Sequence, residues 1–132
     1  MNLKRESKFN LRILLVDDNR EATDALARLL KLHGHAVAIA YSGSEALQKA
    51  PLFNPEVVIL DIGLPDIDGY EVATKLLNQN TSYYLIALTG YGQAEDKERA
   101  TQAGFSYHLT KPAGIKEIAA VLRKASRYAR SR

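Results

Sequence analysis

The chain has 132 residues, of which 46% are apolar and none is cysteine, and these totals are typical of one soluble globular domain. No apolar run approaches the roughly 18 residues needed to span a bilayer, and the polar residues 1–10 lack the apolar core of a signal peptide. The lack of cysteine excludes disulfides and thiolate metal sites and fits a reducing compartment. We therefore expect a cytoplasmic protein without membrane contact.

The net charge of +3 comes from the two ends of the chain. Residues 13–122 hold nine basic and fourteen acidic side chains, whereas residues 123–132 hold five basic side chains and no acid. A basic end of this kind can contact nucleic acid or anionic lipid, but Lys and Arg also favour the C-termini of helices. We favour the second explanation, because Tyr128 is the one aromatic residue among these basic side chains, and we predict no direct contact with nucleic acid.

Hydrophobic periodicity predicts five strands that alternate with five helices. The strands are expected at about Arg12–Val16, Ala36–Ala40, Val57–Leu60, Tyr84–Leu88 and Tyr107–Leu109. The helices are expected at about Arg20–His33, from Ser42 to before Pro51, and at Tyr70–Gln79, Ala94–Ala103 and Ile115–Tyr128. Gly34 and Gly104 are placed to end two helices, and Ser42 with Glu45 has the spacing of a capping box.

Strands that alternate with helices predict a parallel sheet that is covered on both faces. With right-handed crossovers, we expect a doubly wound, flavodoxin-like α/β fold of five strands in the order 2-1-3-4-5. We assign residues 1–11 to a polar N-terminal tail, residues 12–125 to one domain and residues 126–132 to a basic C-terminal tail.

Polar side chains stand at the ends of four of these strands. Asp17 and Asp18 follow the first strand, Asp61 the third, Thr89 the fourth and Lys111 the fifth. Because ligands bind outside the carboxyl ends of parallel strands, we expect the Asp61 carboxyl to lie within about 10 Å of Asp18 and Lys111. Three carboxylates, one hydroxyl and one ammonium in one place predict a site for a divalent cation and a phosphoryl group.

Each of these groups has a predicted role. The expected ligands of Mg²⁺ (or Mn²⁺) are Asp18 and Asp61 directly, Asp17 through a water, and the backbone carbonyl of Gly63. Asp61 ends the most apolar strand and is the candidate nucleophile that forms an aspartyl phosphate. Lys111 would neutralise phosphoryl oxygens, and the Thr89 hydroxyl would donate a hydrogen bond to one of them.

Two further features accompany these residues, namely Leu64-Pro65-Asp66-Ile67-Asp68-Gly69 after Asp61 and Pro112 after Lys111. Over about Arg12–Ala125, the sequence thereby resembles the receiver domain of two-component response regulators. The resemblance implies that Asp61 takes a phosphoryl group from a phosphohistidine of a histidine kinase or histidine phosphotransfer protein, with Mg²⁺, and that the Lys111–Pro112 bond is cis. The chain would then be a phosphoacceptor with intrinsic self-dephosphorylation and not an enzyme, and a monomer or weak dimer.

The resemblance also suggests how a signal would leave the domain. Receivers usually carry Tyr or Phe three residues before the lysine, and its rotation reports phosphorylation, whereas this chain has His108 there. Thr89 and His108 are the switch candidates, and they would change a surface formed by the fourth helix, the fifth strand and the fifth helix. The segments most like receivers of hybrid sensor histidine kinases are Leu85–Gln93, Ala103–Phe105 and His108–Pro112. The chain is therefore either a free-standing regulator or a part of such a kinase.

Three alternatives stay open at this point. An aspartate-nucleophile phosphatase also uses Asp, Thr, Lys and Mg²⁺, but it has a D-x-D pair and a cap domain. Here the position of the second Asp, two residues after Asp61, is occupied by Gly63. A receiver-like interaction module that is never phosphorylated would use the basic last helix. A flavodoxin-like cofactor binder would have to place a phosphate beside Asp17 and Asp18, where the two acids repel it.

Overall fold

The computed structural model describes residues 10–90 and 97–131. The strands are β1 (Arg12–Val16), β2 (Ala36–Ala40), β3 (Val57–Asp61), β4 (Tyr84–Thr89) and β5 (Tyr107–Thr110). The helices are α1 (Arg20–Leu32), α2 (Gly43–Phe53), α3 (Gly69–Gln79), α4 (Lys97–Ala103) and α5 (Ile115–Ser131). Residues 1–9 of the predicted tail and the predicted start of the fourth helix at residues 94–96 lie outside the described residues.

The five strands are parallel and lie in the order β2-β1-β3-β4-β5, which confirms the predicted doubly wound fold. The central strand β3 is buried along its whole length, because helices cover both faces of the sheet. Successive side chains of a strand point to opposite faces. Val58 and Leu60 accordingly join the core beneath α2 and α3, while Val57 and Ile59 join the core beneath α1 and α5.

The register of the sheet brings the carboxyl ends of the strands to one edge. Val16 is the register partner of Leu60, Asp61 of Leu88, and Thr89 of Thr110. The residues predicted to form the site occupy these positions or lie one or two residues beyond them. The register therefore fixes where the site forms before any side chain is considered.

Several element boundaries differ from the predicted ones. Strands β3, β4 and β5 each extend one residue further and end on Asp61, Thr89 and Thr110. Helix α5 continues to Ser131, through most of the predicted basic tail. Leu11, the last residue of the predicted N-terminal tail, is buried in the core. The division of the chain into two tails and a domain stays a prediction.

The prediction that the second helix ends before Pro51 is wrong, because α2 continues to Phe53 with Pro51 inside it. Proline has no N–H, so it cannot donate to the carbonyl four residues earlier. In this fold the side-chain amide of Gln79 donates to that carbonyl, on Leu47, at 3.1 Å. The Arg12 guanidinium also donates to the Phe53 carbonyl, with Nε 3.1 Å away. Both donors come from outside the helix. Gln79 replaces the donor that Pro51 lacks, and Arg12 satisfies a carbonyl that the end of the helix leaves open.

One half of the predicted capping box is present at the start of α2. The Ser42 hydroxyl accepts a hydrogen bond from the Glu45 N–H at 3.1 Å. The Glu45 carboxylate, however, accepts from the N–H of Tyr41 at 2.7 Å rather than from that of Ser42. The helix still begins where the pattern predicted, because the Ser42 contact is the one that caps it.

Gly104 ends α4 as predicted. Its φ of 104° lies in the left-handed region that favours glycine, and a Cβ at this position would lie 2.1 Å from Leu77 Cδ1. Within the described residues, no helix combines the length and the apolar character required to cross a membrane.

Candidate functional site

Three acidic side chains meet at the carboxyl edge of the sheet. One carboxylate oxygen each from Asp17, Asp18 and Asp61 lies within 4.8 Å of the other two. Asp17 and Asp61 are only 7% and 6% exposed, whereas Asp18 is exposed. The predicted approach of Asp61 to Asp18 is confirmed, and three hard oxygen donors at this spacing could hold one metal ion.

Lys111 joins the same cluster. Its Nζ lies 3.0 Å from Oδ2 of Asp17 and 3.1 Å from Oδ2 of Asp61. The Lys111–Pro112 peptide bond is cis, as the resemblance implied. Lys111 therefore bridges the end of β1 and the end of β3 from the far side of β4.

Backbone N–H groups orient two of the carboxylates. Gly63 N donates to Oδ1 of Asp61 at 2.9 Å, and Asn19 N donates to Oδ1 of Asp17 at 3.1 Å. Asn19 also caps α1, where its side chain accepts from the Ala22 N–H at 3.1 Å. Each carboxylate thus uses one oxygen for the backbone and the other for the Lys111 ammonium. Asn19 was not among the predicted site residues, although an Asn directly before an amphipathic helix is a recognisable cap signal.

The electrostatics of the site follow from burial and crowding. Burial raises the pKa of Asp61, and the Asp17 carboxylate raises it further, against the lowering effects of the Gly63 N–H and the Lys111 ammonium. Burial alone would lower the pKa of Lys111, but hydrogen bonds to Asp17 and Asp61 raise it above its ordinary value. A divalent cation at the carboxylates would relieve the repulsion that remains between them.

Thr89 is fully buried at the end of β4, one residue beyond the register partner of Asp61. Its hydroxyl donates to the carbonyl of Leu109 in β5 at a long 3.4 Å. Its own carbonyl accepts a hydrogen bond from the Lys111 N–H at 2.8 Å. In this conformation the Thr89 side chain thus bonds to β5, and its predicted contact with a phosphoryl group stays a prediction.

His108 is partly buried on β5 and is the register partner of Ala87. It lines a cavity of about 330 Å³ between α4 and β5, together with Ala100, Thr101, Phe105, Ser106 and Tyr107. The roles of Thr89 and His108 as switch residues and of the Gly63 carbonyl as a metal ligand also stay predictions.

A family model described as the response regulator receiver domain matches residues 13–123. The chain belongs to the receiver-domain family of response regulators. It is a phosphoacceptor domain of two-component signalling, and this membership implies a histidine kinase or phosphotransfer protein as partner. Receiver domains generally bind Mg²⁺, and the donors of the acidic cluster fit that ion.

Curated relatives agree with this family. The response regulator MprA of Mycobacterium tuberculosis (strain H37Rv) is 31% identical over 115 residues, which are 87% of this chain and 50% of that protein. MprA of Mycobacterium avium (strain 104) is 32% identical over 113 residues, 86% of this chain and 50% of that protein. The receiver therefore spans about half the length of the curated relatives it matches. These relatives are response regulators and do not bear on the likeness to hybrid-kinase receivers.

Solved structures agree as well. The CheY-like receiver domain protein from Methanospirillum hungatei JF-1 superposes with a TM-score of 0.86 at 27% identity, over 93% of this chain and 99% of that chain. A putative response regulator from Chloroflexus aurantiacus J-10-fl has a TM-score of 0.82 at 28% identity, over 89% of this chain and 98% of that chain.

Proposed function

We propose that Asp61 is the phosphoacceptor of this receiver. An Asp61 oxygen forms the new bond to phosphorus while the bond from phosphorus to the imidazole nitrogen of a partner's phosphohistidine breaks. The position of Asp61 supports this choice, because β3 lies between β1, which supplies Asp17 and Asp18, and β4, which supplies Thr89. The observation that carries the proposal is the convergence of three carboxylates and the Lys111 ammonium around this one side chain.

The proposed ligands of the metal ion are Asp17, Asp18, Asp61 and the carbonyl of Gly63. When bound, Mg²⁺ or Mn²⁺ neutralises charge on the phosphoryl oxygens. Lys111 contributes a second positive charge, and Asn19 and Gly63 hold Asp17 and Asp61 in orientation. The chain acts as a phosphoacceptor that dephosphorylates itself and not as a phosphatase with turnover.

The phosphodonor is proposed to dock on an apolar groove beside the acidic cluster. This groove has a volume of about 450 Å³ and lies between α1 and the start of α5, and Asp17 and Lys111 line it together with Leu26, Leu29, Pro112 and Ile115. Leu29 is 42% exposed. Because a protein that delivers a phosphoryl group must cover the rim of the acceptor site, Leu29→Asp should slow transfer from a partner kinase and leave labelling by acetyl phosphate unchanged.

Phosphorylation is proposed to act through Thr89 and His108 on the surface of α4, β5 and α5. The hydrogen bond from the Thr89 hydroxyl to the Leu109 carbonyl is long and therefore weak. Little stabilisation is lost when the hydroxyl leaves this carbonyl to donate to a phosphoryl oxygen. Thr89→Val and His108→Ala should still accept the label but should bind an output partner with an affinity that phosphorylation no longer changes. Unchanged coupling in His108→Ala would remove His108 from the mechanism.

The setting of the domain is part of the same proposal. It is a cytoplasmic signalling domain and a monomer or weak dimer. Its segments around Thr89 and His108 resemble the receivers of hybrid histidine kinases, and they favour a domain that is either a part of such a kinase or similar to its receiver. A receiver of that kind should exchange its phosphoryl group faster with a histidine phosphotransfer protein than with a sensor kinase. Comparing the two transfer rates from purified donors tests this assignment.

Intact mass spectrometry after incubation with acetyl phosphate tests the function directly. The wild type should gain one phosphoryl group in the presence of Mg²⁺ and none with a chelator, and Asp61→Asn should gain none. Hydrolysis of a generic phosphate ester by the wild type would favour the phosphatase alternative. A wild type that takes no label under any of these conditions would favour the interaction module.

A further inference from the structure

The loop between Asp61 and α3, residues 62–68, is closed at its base. The Gly69 N–H donates to the Ile62 carbonyl at 3.3 Å, and a Cβ on Gly69 would lie 2.4 Å from the Ile62 Cα. The two ends of the loop are therefore in van der Waals contact. Its remaining freedom lies in residues 63–68, and this stretch begins with Gly63, which holds the acceptor carboxylate.

The middle of this loop is tied to a different helix. Oδ1 of Asp66 accepts from the N–H of Gly43 at 3.0 Å, and Oδ2 accepts from both the N–H and the hydroxyl of Ser44, each at 3.0 Å. The bonds to the two N–H groups hold the pKa of Asp66 well below its usual range, at about 2. Asp66 is therefore ionised at neutral pH and uses both oxygens to join the loop to the first turn of α2.

The helix does not depend on Asp66 alone for its cap. Ser42 already accepts the N–H of Glu45, so Asp66 serves the two N–H groups that Ser42 leaves open. The contact is also close, because a Cβ on Gly43 would lie 2.8 Å from Val72 and 3.3 Å from the Cβ of Ile67. Loop, α2 and α3 thus meet at Gly43 without space between them.

Other contacts of the loop are apolar. Leu64 is buried and Ile67 is partly buried against the core under α2 and α3. Such contacts keep the loop down on the core but are not directional. The three hydrogen bonds of Asp66 are directional, and they act three residues from Gly63.

We propose that Asp66 is a positioning residue for the metal site, which acts by fixing Gly63. This inference rests on the proposed role of the Gly63 carbonyl as a ligand. Mg²⁺ demands near-octahedral geometry, so a Gly63 that can shift supplies its carbonyl less well. The same shift loosens the Gly63 N–H from the Asp61 carboxylate. Asp66 itself does not touch the metal.

Three variants separate this role from helix capping and from simple loss of charge. Asp66→Ala removes all three bonds, Asp66→Asn removes the same charge but keeps one acceptor for Gly43, and Ser44→Ala removes one bond without changing charge. The control is Glu71→Gln, an exposed acid on α3 whose 3.6 Å ion pair is with Lys75. Mg²⁺ affinity is measured by calorimetry, and exchange of the Gly63 amide is measured by NMR without metal.

Asp66→Ala should weaken Mg²⁺ binding on the order of tenfold, the low end of what indirect partners of a metal site contribute. Asp66→Asn and Ser44→Ala should show smaller losses, and Glu71→Gln none. The amide hydrogen of Gly63 should exchange with solvent faster in Asp66→Ala than in the wild type, although neither Gly63 nor Asp61 is substituted in this variant.

Equal losses in Asp66→Ala and Asp66→Asn, with Ser44→Ala unchanged, would mean that only charge matters and would overturn the proposal. Faster exchange confined to the first turn of α2, with normal Mg²⁺ affinity, would reduce Asp66 to a helix cap and also overturn it. If Asp66→Ala does not fold, Ser44→Ala and Asp66→Asn decide the question. A wild type that binds no Mg²⁺ and takes no phosphoryl label would instead contradict the proposed function.

Discussion

The Lys111 ammonium donates a hydrogen bond to the Asp61 carboxylate across 50 residues of sequence, with Nζ 3.1 Å from Oδ2. The same ammonium lies 3.0 Å from Asp17, so it is an internal counter-charge for two buried acids. A metal ion at the acidic cluster has to share these two carboxylates with the lysine. We therefore expect Lys111 to oppose metal binding in the resting protein and, in the proposed function, to support phosphoryl transfer once a phosphoryl group is present.

Lys111→Met should separate these two effects. Mg²⁺ should bind more tightly, because its competitor for Asp17 and Asp61 is gone. Labelling by acetyl phosphate should slow on the order of a hundredfold, which is typical for the loss of one preorganised donor. Calorimetry and timed mass spectra measure the two quantities, and Lys75→Met, an exposed lysine on α3, is the control. Weaker Mg²⁺ binding in Lys111→Met would contradict the competition.

Asp61→Asn should stabilise the metal-free protein at neutral pH. The pKa of Asp61 is raised, chiefly by burial, so the folded state favours the neutral carboxyl, and stability is lost as the pH rises through the folded pKa. Asparagine is neutral at every pH, so the gain should be largest at neutral pH and should vanish below the ordinary pKa of about 3.9. Urea unfolding with a chelator measures it, and Asp18→Asn is the exposed control. A variant less stable than wild type at neutral pH would refute this sign.

The predictable part of this molecule is the part that local patterns encode. Apolar runs that end in an acid, a threonine or a lysine predicted both the strands and the residues of the site, because the ends of parallel strands meet at one edge. Asp66 lies within the sequence motif that follows Asp61, but its partners Gly43 and Ser44 lie 23 and 22 residues away, and no local pattern indicates such a pairing. The error at Pro51 has the same origin, since Gln79 replaces the missing donor from another helix.

The contact between Asp68 and Arg99 joins the start of α3 to α4 and offers a graded stability test. Asp68 Oδ1 caps α3 through the Tyr70 N–H at 2.9 Å, while Oδ2 accepts from Arg99 Nη2 at 2.7 Å. Arg99 also lies 4.2 Å above the Tyr70 ring. Both charged side chains are about half exposed, so the ion pair should contribute only about 0.2–1 kcal/mol.

Asp68→Asn should therefore lower the free energy of unfolding by no more than the contribution of the ion pair, because asparagine keeps the cap. Asp68→Ala should lower it by about 1 kcal/mol more, because the cap is lost as well. Arg99→Gln should match Asp68→Asn or cost slightly more, because it also removes the contact with Tyr70. Urea unfolding at low and high salt measures these differences, and only the ion-pair part should shrink with salt. Equal costs for Asp68→Asn and Asp68→Ala would rule out the separate cap.

His35 should make the stability of the protein depend on pH. Its Nδ1 accepts a hydrogen bond from the Leu11 N–H at 3.0 Å, and only the neutral ring can accept it. Burial first, and the charge of His33 second, lower the pKa of His35 against the effect of Glu56. The stabilising contribution is therefore complete above the ordinary pKa of about 6.5 and is lost as the pH falls through the lower folded value.

His35→Ala should cost about 0.5–1.5 kcal/mol at alkaline pH, the usual contribution of one hydrogen bond, and progressively less in acid. Urea unfolding across this range measures the difference. His33→Ala is the matched control, because it removes the neighbouring charge and should move the NMR titration of His35 to higher pH. If the loss of unfolding free energy in His35→Ala stays constant with pH, the ring packs beside Leu11 without accepting a hydrogen bond from its N–H.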